Sequence, residues 1–159
     1  MTFVEAFFTN RVLIAALLSS LIATLLKLLV GRWSKADVSR TLAYGGMPSS
    51  HAAFASGAAW AIGILEGFHS PLFGLGMAWT VIVVFDALGL RRAAGDHAKH
   101  INTLWEDLSL RKPGRKIAQD VKQLQEVLGH TPWEVAMGVL AGILTAIQTV
   151  RYWPPPPIS

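Results

Sequence analysis

Apolar residues fall into four long blocks separated by polar stretches, and the blocks are too continuous to be single faces of helices in water. Residues 12–30 form a run broken only by small polar residues and Lys27, close to the about 20 residues that cross the hydrocarbon core of a bilayer. Residues 52–66 are dense in alanine and glycine and carry no charge before their final residue. Residues 72–90 carry one charge, Asp86, near their end. Residues 132–150 begin with Pro132-Trp133-Glu134, continue without charge from Val135, and are followed by Arg151-Tyr152-Trp153, residue types that anchor a helix end at the membrane interface. The pattern predicts an all-α integral membrane helical bundle of about four transmembrane helices in a single domain, residues 1–159.

The loop over residues 91–130 has a pattern of its own. Ala94, His97, Ala98, Ile101, Leu104, Trp105 and Leu108 recur at helical spacing, Lys112-Pro113-Gly114 interrupts, and Ile117, Val121, Leu124 and Leu128 resume. Two amphipathic helices lying at the membrane interface are expected, with the basic residues near 111–116 toward lipid phosphates. The Pro-rich tail, residues 154–159, reads as extended polyproline II. The first apolar run is longer than the core of a secretion signal and contains a lysine, so it is expected to stay as a helix.

Composition strengthens the membrane reading: 52% of the 159 residues are hydrophobic, and a soluble chain of this size would leave much of that surface wet. The absence of cysteine excludes disulfides, a thiolate nucleophile and cysteine-based metal sites. With four spans, 12 of the 14 Lys and Arg residues share one face, and only Arg11 and Arg151 lie on the other. The positive-inside rule makes the rich face cytoplasmic and leaves both termini outside, as expected of a protein in the cell (inner) membrane. The basic balance then reflects topology and attraction to anionic headgroups; no nucleic-acid-binding motif accompanies it.

Three short strings lie where apolar blocks meet that face: Pro48-Ser49-Ser50-His51, Asp86 with Arg91-Arg92, and His130 before Thr131-Pro132-Trp133-Glu134. Each has an ordinary structural reading. Ser49 and Ser50 suit the cap of a helix, Thr131 and Glu134 spell a capping box with proline at the first helical position, and Lys27 and Asp86 lie at similar depth and suit an ion pair, or Lys27 snorkels. Their conjunction suggests more. Two histidines at two helix starts, joined by topology to Lys27, Arg91 and Arg92, compose an anion site equipped with an acid and a nucleophile.

The strings Gly45-Gly46-Met47-Pro48-Ser49-Ser50-His51, Asp86-Ala87-Leu88-Gly89-Leu90-Arg91-Arg92-Ala93-Ala94-Gly95 and Leu128-Gly129-His130-Thr131-Pro132-Trp133-Glu134-Val135 resemble the divergent branch of the type 2 phosphatidic acid phosphatase family. The likeness runs over most of the chain from Lys27 to Val135. In the wider superfamily of lipid phosphatases and vanadium haloperoxidases, a lysine and an arginine open the phosphate site, a Pro-Ser-x-His string follows, and a final histidine is oriented by a carboxylate four residues later. Pro48 to His51, and His130 with Glu134, match the last two elements. Two departures stand out: no Arg-Pro follows Lys27, and 37 residues separate Arg92 from His130, where the main family has only a few between arginine and histidine.

The resemblance implies a metal-free phosphohistidine route without a cofactor. His130 attacks phosphorus, Glu134 orients it, His51 protonates the leaving alkoxide, and Lys27, Ser49, Ser50, Arg91 and Arg92 bind the phosphoryl oxygens. The implied partners are a lipid phosphate substrate, polyprenyl or glycerolipid, and the surrounding membrane lipids. The departures leave a second reading open, a non-catalytic protein that binds or transports a lipid phosphate through the same site, and the sequence does not fix an oligomeric state.

Overall fold

A computed structural model describes residues 2–33, 46–111, 124 and 129–154. A short helix, α1 (Phe3–Thr9), leads into α2 (Arg11–Trp33), followed by α3 (Ser50–Glu66), α4 (Pro71–Phe85), a π turn (Asp86–Leu90), α5 (Arg91–Arg111) and α6 (Pro132–Tyr152). No strand occurs among the described residues. Start signals are local: Ser49, Ser70 and Thr131 each accept the amide hydrogen bond of a residue three positions on, and Pro71 and Pro132 occupy first helical positions.

Among the described residues, three helices are long and apolar enough to cross a membrane: Arg11–Gly31, the continuous helix Pro71–Asp107, and Pro132–Tyr152. The expected fourth, α3, has 17 residues, about 26 Å of helix at about 1.5 Å per residue, which is the short end of the spanning range. It compensates by position, since α2, α4 and α6 all pack on it. The first of the two expected interfacial helices is not separate. From Leu90 to Arg111 no proline intervenes, so the chain continues from α4 through the π turn into α5 as one rod. The second falls outside the described residues, as do the tail residues beyond Pro154.

The bundle is apolar outside and small or polar inside. Leu21, Leu25, Leu29, Trp79, Ile82, Phe85 and Leu144 are exposed, whereas the interior holds alanines with Ser19, Ser56, Thr80, Thr145 and Thr149. Four of those hydroxyls pair within their own helices. Ser19 donates to the Ala15 carbonyl at 2.6 Å, Ser56 to Ala52 at 2.7 Å, and Thr80 and Thr145 to Gly76 and Ala141 at 2.8 Å, the local bonding available to Ser and Thr where water is excluded. Ser56 also reaches the Val139 carbonyl across α3 and α6 at 3.2 Å. Close approach needs glycine. A Cβ on Gly138 would run into the Ser49 carbonyl, one on Gly142 into Ser56 and Ala53, and one on Gly57 into Ser19.

The connections sort the helix ends. Arg11 donates to the Val150 carbonyl at 3.5 Å and Trp153 Nε1 to Phe8 at 2.9 Å, which brings the start of α2 to the end of α6. At the opposite end, Ser49 N–H donates to the Glu134 carbonyl at 2.9 Å and His130 N–H to the Ala87 carbonyl at 3.1 Å. The starts of α3 and α6 and the π turn therefore meet at one end of the bundle.

Candidate functional site

That meeting point encloses a cavity of about 90 Å³ lined by His51, Val83, Asp86, Ala87, Arg91 and His130, several times the about 10–15 Å³ that admits one water. Residues from three separate strings thus form one polar cup. Ala87 also belongs to a buried apolar cluster with Ala52 and Val135, around which Val84, Leu88 and Val139 pack.

His130 is the central group. It is 9% exposed, and among the described residues neither ring nitrogen has a hydrogen-bond partner. Its position is fixed through the backbone: its N–H is held by Ala87, and Gly129 before it takes φ +89°. A side chain at 129 would be strained by that φ, and its Cβ would also lie 2.8 Å from the Arg92 nitrogen and 3.0 Å from the Arg92 Cα. Glycine here lets the loop lie flat on the first turn of α5. Burial, reinforced by the Lys27 ammonium, holds the His130 imidazole below the ordinary histidine pKa; the Glu134 carboxylate pulls the other way without reversing the shift. The shift favours the neutral ring, the form that carries a free lone pair.

The remaining residues divide. His51, on the first turn of α3, lines the cup, as do Asp86 and Arg91. Lys27 on α2 is 4% exposed and near enough to act electrostatically on His51, His130 and Glu134. The Lys27–Asp86 pair read from similar depth does not form as such: Asp86 instead accepts from Arg91 Nε at 2.8 Å. Ser49 is fully buried, caps α3, and is locked against Glu134 and Gly138 through its backbone. Neither Ser49 nor Ser50 lines the cavity. Arg92 is exposed, with its backbone under Gly129, and does not line the cavity either.

Glu134 departs from its expected orientation. Its carboxylate accepts from Thr131 N–H at 2.8 Å in the capping box, and Thr131 Oγ1 accepts from Glu134 N–H at 3.3 Å. The His130 ring donates no hydrogen bond to it, because His130 lies outside the helix and so off the face that an i, i+4 pair shares. Its influence on His130 is through its field. Two contributors escaped the sequence reading: the π turn, whose Ala87 carbonyl holds His130, and the Gly138 contact that seats Ser49. A glycine four residues after the capping glutamate was the only signal for the latter.

Comparison with known proteins covers nearly the whole chain. The family model described as the divergent PAP2 family matches residues 8–145. A relative in Bacillus subtilis (strain 168), described as the uncharacterized membrane protein YuiD, is 38% identical over 155 residues, covering 91% of this chain and 97% of its own. No solved structure matches.

Proposed function

Because this membrane protein belongs to the divergent PAP2 family, we propose that the cup is the active site of a lipid phosphate phosphatase that works through a phosphohistidine. The observation that carries the reading is His130 itself: a buried imidazole without a partner, beside a second histidine and an arginine in a cavity of small-anion size. An unsatisfied buried polar group costs about 1–3 kcal/mol, a cost that a bound phosphoryl group relieves.

In the proposed reaction the His130 lone pair attacks phosphorus, an N–P bond forms, and the bond from phosphorus to the lipid oxygen breaks. His51 gives its proton to the departing alkoxide, then takes one from the water that attacks the phosphohistidine, releasing inorganic phosphate and restoring both rings. Arg91 and Lys27 supply positive charge as it spreads over the phosphoryl oxygens. Ser49 and Ser50 serve by setting the α3 start rather than by lining the cup, and Arg92 by seating Gly129. The cup sits at the ends of apolar helices, where a headgroup is reached with its hydrocarbon chain still in the bilayer.

The direct test is release of inorganic phosphate from phosphatidic acid and polyprenyl phosphate by purified protein in mixed micelles. Turnover is expected on at least one of them. A protein that binds orthovanadate but releases nothing from any lipid phosphate would replace this reading with the binding or transport alternative, which the departures around Lys27 and Arg92 favour.

Glu134 offers a separable check. Gln at 134 keeps an oxygen for the Thr131 N–H, so the fold is expected to survive. It removes the charge that raises the His130 pKa. The imidazole then stays neutral to lower pH, and the acid limb of the pH–rate profile is expected to move to lower pH in Glu134→Gln. An unmoved limb would reduce Glu134 to a helix cap.

Sidedness follows from charge. On that basis the cup faces the cytoplasm. The natural chain has no cysteine, so single replacements Lys99→Cys and His69→Cys report cleanly: on intact cells an impermeant thiol reagent is expected to label position 69 and spare 99. The reverse pattern would invert the topology.

A further inference from the structure

Asp86 is an odd residue to find at a site for anions. Its carboxylate lines the same cavity as His51 and His130, where it repels a phosphoryl group, yet it is held there by a specific geometry. In a regular α-helix, residues five apart are separated by about 140° around the axis and do not meet. The π turn removes that separation: Arg91 N–H bonds the Asp86 carbonyl in the i to i+5 pattern, and Arg91 Nε donates to Asp86 Oδ2 at 2.8 Å. One residue therefore grips the other through both backbone and side chain.

The grip uses only Nε. Among the described residues the two terminal amino groups of Arg91 make no hydrogen bond, and the side chain borders the cavity. We propose that Asp86 is a positioning residue of the anion site, clamping Arg91 at Nε across the π turn so that its terminal amino groups are presented to the bound phosphoryl group. This rests on the phosphatase reading and sharpens it. An arginine distant in sequence from His130 is made part of the cup by a local change of helix type, the kind of irregularity that recurs at functional sites. A free arginine would spend orientational entropy on binding; a clamped one offers its paired donors in the planar geometry an oxyanion accepts.

The test uses orthovanadate binding to the purified full-length protein in detergent. Asp86→Ala removes both charge and acceptor and is expected to weaken vanadate about tenfold, the scale of one oriented charge-assisted hydrogen bond. Asp86→Asn removes the charge but keeps an oxygen for Nε, and is expected to stay near the wild-type affinity. In an Arg91→Ala background, Asp86→Ala is expected to cost nothing further. Circular dichroism and unfolding temperature identify any variant that has lost its fold, and Asp86→Asn then carries the comparison alone: a clear loss of affinity in a folded Asp86→Asn protein overturns the clamp. Asp86→Ala binding vanadate as tightly as the wild type or more tightly would show that the carboxylate only repels, and an undiminished loss without Arg91 would show that it acts elsewhere. A wild-type protein that binds neither vanadate nor phosphate would remove the phosphatase reading and the clamp with it. Wild-type binding with an inert Asp86 would remove the clamp alone.

Discussion

His130→Ala is expected to lower phosphate release from a lipid phosphate by at least about 1000-fold, the scale on which loss of a nucleophile acts. The size of the effect follows from the site. Among the cavity-lining groups, His130 is the one both buried and without a partner, and the proposed attack depends on it. His51→Ala separates the two histidines. It is expected to slow lipid phosphates strongly but to spare an aryl phosphate, whose leaving group needs little protonation. The distinguishing measurement is the rate ratio between the two substrate types in each variant. Equal losses on both in His51→Ala would remove the acid role from His51, and turnover by a folded His130→Ala protein would end the phosphohistidine mechanism.

A large effect on stability is expected at Gly138. A Cβ there would strike the Ser49 carbonyl and lie 3.1 Å from both the Ser49 nitrogen and its Cβ. Those atoms are backbone or fully buried, so relief requires α3 and α6 to separate. Gly138→Val is expected to cost about 3 kcal/mol, the upper part of the range for overpacking, and to shift the α3 start and so displace His51. Gly74 is the control. Nothing lies within 4 Å of a Cβ added there, and Gly74→Ala is expected to be neutral or to gain about 0.5–1 kcal/mol from helix propensity. Unfolding temperatures in one detergent compare the two directly. A Gly138→Val protein as stable as the Gly74→Ala protein would mean that the contact yields.

The helical blocks were legible because membrane crossing is written in length and hydropathy, properties that need no partner to read. The Thr131–Glu134 capping box was legible for a similar reason: four consecutive residues contain it. Convergence of His51, Arg91 and His130 followed from parity, since each string lies at the same end of its block. What escaped depends on offsets of one residue or on contacts between helices. The Asp86–Arg91 pair fits no α-helical face, and similar depth suggested Lys27 as the partner of Asp86. The carboxylate of Glu134 had two partners within reach in sequence, and only the geometry of the first turn shows that the Thr131 amide takes it. The short α3 reads as a span like its neighbours, although its small residues mark a helix surrounded by others.

The continuous helix from Pro71 to Asp107 has 37 residues, about 55 Å of rod at about 1.5 Å per residue, against a hydrocarbon layer of about 30 Å. Arg91 sits partway along it, while His51 and His130 belong to other elements. A bilayer thinner than a helix's apolar stretch is accommodated by tilting that helix, and tilting this one is expected to change the height of Arg91 relative to the two histidines. Shorter acyl chains are therefore expected to shift the alignment of the cup, so reconstitution in a thinner membrane is expected to alter more than the surroundings of the protein.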